Sequence, residues 1–144
     1  MITDFRHTCI LVSDFKKAIR FYRDLLGLKV EKTRVVAGPD AARTFHKKAV
    51  SLEYAKLSPP GWPQGRPAPF ELHCWHFPKL RPKKECGHVS FTVEDMDRTY
   101  KRLRARGVRF LSGPSCMPSG KSKLCFACDP DGNLIEFIED IKRK

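Results

Sequence analysis

Apolar and polar positions along the chain follow two periods, and the order in which those periods appear occurs twice. Phe5-Arg6-His7-Thr8-Cys9-Ile10-Leu11-Val12 is a mostly apolar run of strand length, followed by Ser13-Asp14, side-chain types that cap helix N-termini. Phe15, Ala18, Ile19, Tyr22, Leu25 and Leu26 then recur at helical spacing, and Gly27 is placed to end that helix. Further along, Gly87-His88-Val89-Ser90-Phe91-Thr92-Val93 predicts another strand and Glu94-Asp95 another cap. Met96, Tyr100 and Leu103 predict a second helix closed by Gly107. In both copies the histidine lies seven residues before the capping aspartate. The glycine follows that aspartate by thirteen residues in the first copy and by twelve in the second. Strand, cap, helix and glycine at matched spacing identify an internal repeat.

Each copy continues as strands: 28–36, 49–57 and 70–76 in the first, and 108–111, 123–128 and 134–139 in the second. Asp129-Pro130-Asp131-Gly132-Asn133 is the turn between the last two. The expected fold class is therefore α+β, with two tandem βαβββ modules in one domain spanning 1–144. Module one covers 1–77 and module two 86–144. The linker 78–85 carries two prolines and four basic residues. The proline-rich stretch from Pro59 to Pro69 reads as a surface excursion.

A length of 144 residues suits one domain, or two half-size modules sharing a core, and the 41% hydrophobic content excludes wholesale disorder. The 28 Lys and Arg against 16 Asp and Glu leave a net charge of +12. That excess first points to polyanions, but the densest set (Arg98, Lys101, Arg102, Arg104, Arg106, Arg109) falls largely on the outer face of the second helix. No zinc-finger spacing, aromatic–basic RNA-binding motif or helix-turn-helix signature accompanies it, so no specific nucleic-acid partner is expected. No apolar run reaches the ~18 residues of a membrane span, and no secretion signal opens the chain. The expectation is a cytoplasmic protein whose six cysteines are reduced thiols. Cys125 and Cys128 are three apart in a predicted strand and lack a second pair, which reads as structural and not zinc-binding.

The candidate chemistry comes from the repeat. Equivalent first strands carry His7 and His88, and equivalent last strands carry Phe70-Glu71-Leu72 and Ile135-Glu136-Phe137. An unpaired carboxylate inside an apolar strand is unfavourable by several kcal/mol. Two such carboxylates at matched positions, each with a strand histidine, call for a compensating charge. A divalent cation supplies it: imidazole nitrogen and carboxylate oxygen suit Zn, Ni, Co, Mn or Fe. Period-two alternation puts Cys9 and Leu11, His73 and Trp75, Ser90 and Thr92, and Leu134 and Ile138 on the ligand faces, as lining of a substrate pocket. His73 shares the face of Glu71 and is a candidate for proton transfer, whereas His46 and His76 read as surface residues.

Gly-His-Val-Ser-Phe at 87–91 and Asp-Pro-Asp-Gly-Asn-Leu-Ile-Glu-Phe at 129–137, with His7, the helix from Asp14 to Gly27 and Glu71, resemble the vicinal oxygen chelate superfamily of glyoxalases, dioxygenases and bleomycin-resistance proteins. The resemblance implies two modules curling into an open, cupped mixed β-barrel around one divalent metal held by His7, Glu71, His88 and Glu136. The substrate would be a small molecule chelating through vicinal oxygens, and the protein a homodimer. The His, Glu, His, Glu order is similar to that of glyoxalase I, which implies lyase or isomerase chemistry with Glu136 or Glu71 as the catalytic base. An Fe(II) dioxygenase using His7, His88 and Glu136 is the alternative, and Glu71 as a fourth ligand counts against it. A drug-binding protein is the third reading, disfavoured by the intact quartet. Leu11 and Trp75 stand where bacterial glyoxalase I usually has the arginine and asparagine that help bind glutathione. A substrate other than a glutathione adduct is therefore expected, with Arg6, Arg34, Arg43, Lys47 and Lys48 as candidate partners for an anionic one.

Overall fold

The computed structural model describes residues 6–82, 88–118 and 120–141, so Phe5, Gly87, Cys86, part of the linker and the basic tail lie outside the described residues. The chain divides into two compact units, Met1–Pro82 and Lys83–Lys144. The first contains β1 (Thr8–Leu11), α1 (Phe15–Ile19), β2 (Lys29–Ala37), α2 (Pro39–Thr44), β3 (Ser51–Ser58) and β4 (Phe70–Phe77). The second contains β5 (His88–Thr92), α3 (Met96–Ala105), β6 (Arg109–Phe110), β7 (Ser115–Cys116), β8 (Ser122–Cys128) and β9 (Leu134–Asp140).

Both units have the same mixed topology. The first sheet runs β1-β4-β3-β2 and the second β5-β9-β8-β6, with β7 alongside β8. In each, the opening strand lies parallel to the last, and the remaining pairs are antiparallel. The parallel pair needs a long connection, which the helices and strands between the two partners provide. The architecture is the α+β repeat expected from the sequence, and neither sheet closes into a barrel. His7 is found just ahead of β1 and not within it.

The caps are those read from the sequence. Asp14 Oδ1 accepts a hydrogen bond from the Lys17 amide at 2.9 Å, and Asp95 Oδ1 accepts one from the Arg98 amide at 2.9 Å. The unequal spacing to the closing glycine has a structural cause. α1 continues as a π-helical stretch over Arg20–Leu25, which accommodates one more residue than an α-turn does. The Leu28 amide therefore reaches back six residues to the Tyr22 carbonyl, whereas in α3 Val108 reaches back five to Leu103. Gly27 and Gly107 sit at φ 81° and 89°, the left-handed conformation that closes a helix at least strain.

One face of each sheet is covered by its own helix. Tyr22 from the π-helical stretch packs on Phe70 with ring centroids 5.2 Å apart, over buried Ala55, Leu57 and Leu72. In the second unit Met96 and Leu103 are buried with Ile135 and Ala127, and Tyr100 meets Phe110 edge-on at 4.7 Å. The sequence reading did not anticipate α2. Its six residues are too short to show a period, although Pro39 stands at its start, where a proline is well tolerated. The helix supplies buried Ala41 to a cluster with Val50, Leu52 and Trp75, against which Leu11, Val36, Phe45 and Leu80 pack.

The turn before β9 is held by buried Asp129. Its Oδ1 accepts hydrogen bonds from the amides of Asp131 and Asn133 at 2.9 and 2.8 Å, and Oδ2 accepts one from the Asn133 side chain at 2.8 Å. Asp129→Ala orphans these donors and is expected to destabilise the protein by about 2–3 kcal/mol in urea unfolding. A loss within experimental error would show that the turn forms without it.

Candidate active site

In the first unit the face turned away from α1 carries the candidate residues, and strand register explains why. Cys9 and Leu11 of β1 pair with Glu71 and His73 of β4. Across β4, Lys56, Tyr54 and Leu52 of β3 pair with Glu71, His73 and Trp75. Glu71 is only 5% exposed. His7 Nδ1 lies 3.6 Å from Glu71 Oε1, Lys56 Nζ donates to the same oxygen at 3.0 Å, and His73 Nε2 is 3.0 Å from Oε2. Burial pushes the Glu71 carboxyl up, but the hydrogen bonds from His73 and Lys56 and the charges of His7 and Lys56 outweigh it. The group therefore sits below the usual carboxylate range and stays ionised. The opposing Cys9 is an exposed residue, and partial desolvation of its thiol and then the Glu71 charge push that thiol up to about 12.

Lys56 is the residue the sequence reading missed. The expectation was that a buried carboxylate needs a metal; the fold provides an ammonium from the next strand as well. The signal was available only through pairing, since β3 carries two charges, Glu53 and Lys56, and only the antiparallel register shows that Lys56 lies opposite Glu71. Trp75 lies on the same face but is 6% exposed, seated in the cluster under α2 with its ring 5.0 Å from that of Phe45. Leu11 packs against that cluster too.

The second unit repeats the geometry with different surroundings. Ser90 pairs with Glu136 as Cys9 does with Glu71, and Thr92 pairs with Ile138. His88 Nε2 is 3.5 Å from Glu136 Oε2. Where Lys56 faces Glu71, Phe126 faces Glu136, and Ile138 occupies the position equivalent to His73. The His88 ring meets Phe126 edge-on at 5.3 Å. Among the described residues, Glu71 is thus held by the Lys56 ammonium and two imidazoles, whereas Glu136 has one imidazole, with Phe126 and Ser90 opposite it.

The donor chemistry fits a divalent metal within each pair. Two ligands about 2.1 Å from one ion at a tetrahedral angle are about 3.4 Å apart, close to both His–Glu separations. Among the described residues no group of three or more His, Cys, Asp or Glu side chains is assembled to hold a metal, so each unit presents a pair and not a complete cage. Arg34 lies on the Glu71 face, paired in register with Tyr54, whereas Arg43 is engaged by Asp40 at 3.3 Å. Arg6, Lys47 and Lys48 are exposed. His46 and His76 are exposed as well, and His76 lies 3.3 Å from Glu53.

Residues 4–137 match the Glyoxalase/Bleomycin resistance protein/Dioxygenase superfamily. The chain belongs to that superfamily. It is 30% identical over 139 residues to a probable lactoylglutathione lyase of Synechocystis, covering 96% of both chains. It is 29% identical to the lactoylglutathione lyase of Haemophilus influenzae, covering 96% of this chain and 93% of the other. Its fold is similar to that of a glyoxalase family protein from Bacillus cereus, with a TM-score of 0.81 at 24% identity, over 99% of this chain and 97% of that one. Among the described residues no helix is long and apolar enough to cross a membrane, and the five described cysteines are unbridged.

Lys56→Met leaves Glu71 buried with one hydrogen-bonded cation fewer and is expected to destabilise the metal-free protein by about 1–3 kcal/mol in denaturant unfolding. Adding Glu71→Gln to that variant should recover most of the loss, because the buried charge goes with its partner. Additive losses would deny the coupling.

Proposed function

We propose that this member of the superfamily is a metal-dependent lyase or isomerase acting on a small molecule with vicinal oxygens. The observation that carries the reading is the repeated imidazole–carboxylate pair, His7 with Glu71 and His88 with Glu136, at equivalent register positions of two matched sheets. The four side chains are proposed as ligands of one divalent ion, of Zn, Ni, Co, Mn or Fe type. When bound, that ion polarises substrate oxygen as a Lewis acid. The names of the relatives support lyase chemistry over the dioxygenase and drug-binding readings.

The two carboxylates divide the work. Glu71, held by Lys56, His73 and His7, is the fixed anionic ligand. Glu136 has no ammonium opposite it in the sheet, and it is the base: it takes a proton from one of two adjacent oxygen-bearing carbons and returns it to the other. The atoms of substrate and product are then the same, as an isomerisation requires. Ser90, Thr92 and Ile138 flank Glu136 on its face and limit the space around the transferred proton. Leu11 and Trp75 pack in or against one apolar cluster and offer no charged group to a glutathione chain, which favours a substrate other than a glutathione adduct. The same reading takes the protein as a cytoplasmic homodimer with reduced thiols.

Protein purified without added metal is expected to carry one divalent ion per chain by elemental analysis, and Glu71→Ala and Glu136→Ala to lose most of it. Full occupancy in both variants would sink the four-ligand proposal. Glu136→Gln should lower kcat by about 10²–10⁴-fold in anaerobic turnover of 2-oxoaldehyde thiol adducts. Oxygen consumption with catechol-type substrates, and none of that anaerobic turnover, would overturn the lyase reading in favour of the dioxygenase. Adducts of a small thiol are expected to be turned over with higher kcat/KM than the glutathione adduct, and the reverse order would restore glutathione as the substrate.

A further inference from the structure

The face of the first sheet that holds Glu71 has more cations than that carboxylate can neutralise. Lys32 of β2 pairs directly with Lys56 of β3, and Lys56 with Glu71 of β4, so the three lie in one row across the sheet. In the next row Arg34 pairs with Tyr54 and Tyr54 with His73. The other two carboxylates of the sheet are engaged elsewhere: Glu31 accepts from Ser58 at 2.6 Å and from Lys29 at 3.1 Å, and Glu53 lies beside His76. Neither Lys32 nor Arg34 has an ion-pair partner among the described residues, and both are exposed. Lys56 lies between them and the carboxylate, its side chain 31% exposed and its Nζ 5.9 Å from the centre of the Tyr54 ring.

Like charges directly opposite each other on neighbouring strands are unfavourable, and a shared anion relieves the repulsion. We infer that Lys56, with Lys32 and Arg34 behind it, determines substrate specificity by binding an anionic group of the substrate, separate from the vicinal oxygens. The inference rests on the metal reading above, since a cation at Glu71 takes over the neutralisation that Lys56 otherwise provides and frees the ammonium. Strands are ~4.8 Å apart, so an anion between Lys56 and Lys32 sits roughly 5–10 Å along the row from Glu71. The substrate class is then a vicinal-oxygen compound with a short spacer ending in an anion. The second unit has phenylalanine where Lys56 stands, so this recognition belongs to module one alone.

Two hydroxamates test it on protein loaded with Co²⁺, whose visible spectrum reports chelation. Acetohydroxamate is neutral, and succinic monohydroxamate carries an added carboxylate. Wild type is expected to bind the carboxylated probe about tenfold more tightly, the scale of one charge-assisted hydrogen bond. Lys56→Met should abolish that preference, measured as the ratio of the two affinities within the variant, and Lys56→Arg should keep it. Lys32→Met, on the exposed edge strand, should reduce the preference by about two- to threefold in a protein whose Glu71 contacts are intact. Equal affinities in wild type, or a preference that survives Lys56→Met, would overturn the subsite while leaving the metal reading in place. A cobalt spectrum that responds to neither probe would sink the metal reading and the subsite with it.

Discussion

A carboxylate buried in the middle of a β-sheet must be compensated, and much of the organisation of the first unit answers to Glu71. Its side chain has lost most of its water, so its charge persists only because Lys56, His73 and His7 surround it. Three strands contribute to that arrangement or its frame. β4 carries Glu71 and His73, β3 brings Lys56, and β1 sets Cys9 opposite with His7 just before it. The parallel pairing of β1 with β4 is what puts the histidine and the carboxylate at the same end of the sheet. It exists because the helix and the strands between them make the long connection it needs.

The two modules share one backbone plan and differ in what surrounds the carboxylate. The same register position holds lysine in one and phenylalanine in the other, so equivalent glutamates have unequal electrostatic settings. Repetition in the chain supplies matched positions, and local differences in sequence make them chemically distinct. In the proposed mechanism that asymmetry separates a fixed ligand, Glu71, from a proton carrier, Glu136, within a repeat that would otherwise offer two identical groups. It also leaves the first sheet with the excess of positive charge around its carboxylate.

The charge of the chain reads differently in this light. Much of the basic excess lies on the outer face of α3, where Arg104 rests near the Tyr100 ring and Arg98 follows the capping Asp95. That part of the charge faces solvent. The part that bears on chemistry is small and local: Lys32, Lys56 and Arg34 on the face that contains Glu71.

The repeat, the caps, the closing glycines and the His–Glu pairs were all legible in the amino-acid order, because each rests on spacing within a few residues or on matched spacing between copies. Even the one-residue difference between Asp14–Gly27 and Asp95–Gly107 was visible, although its form was not. The extra residue is absorbed in a π-helical stretch, and Tyr22 within it packs on Phe70. α2 escaped notice because six residues carry no measurable period, and Trp75 was placed by alternation on a pocket face that α2 then covers. Lys56 was hidden for a different reason. Its relation to Glu71 is set by the register of two strands joined through an eleven-residue excursion from Pro59 to Pro69, and local sequence does not encode which residues a long connection brings side by side. The chain alone therefore determined which chemical groups are present and that they recur. The tertiary structure decided which of them neutralise one another, because charge compensation depends on distance through space and not along the chain.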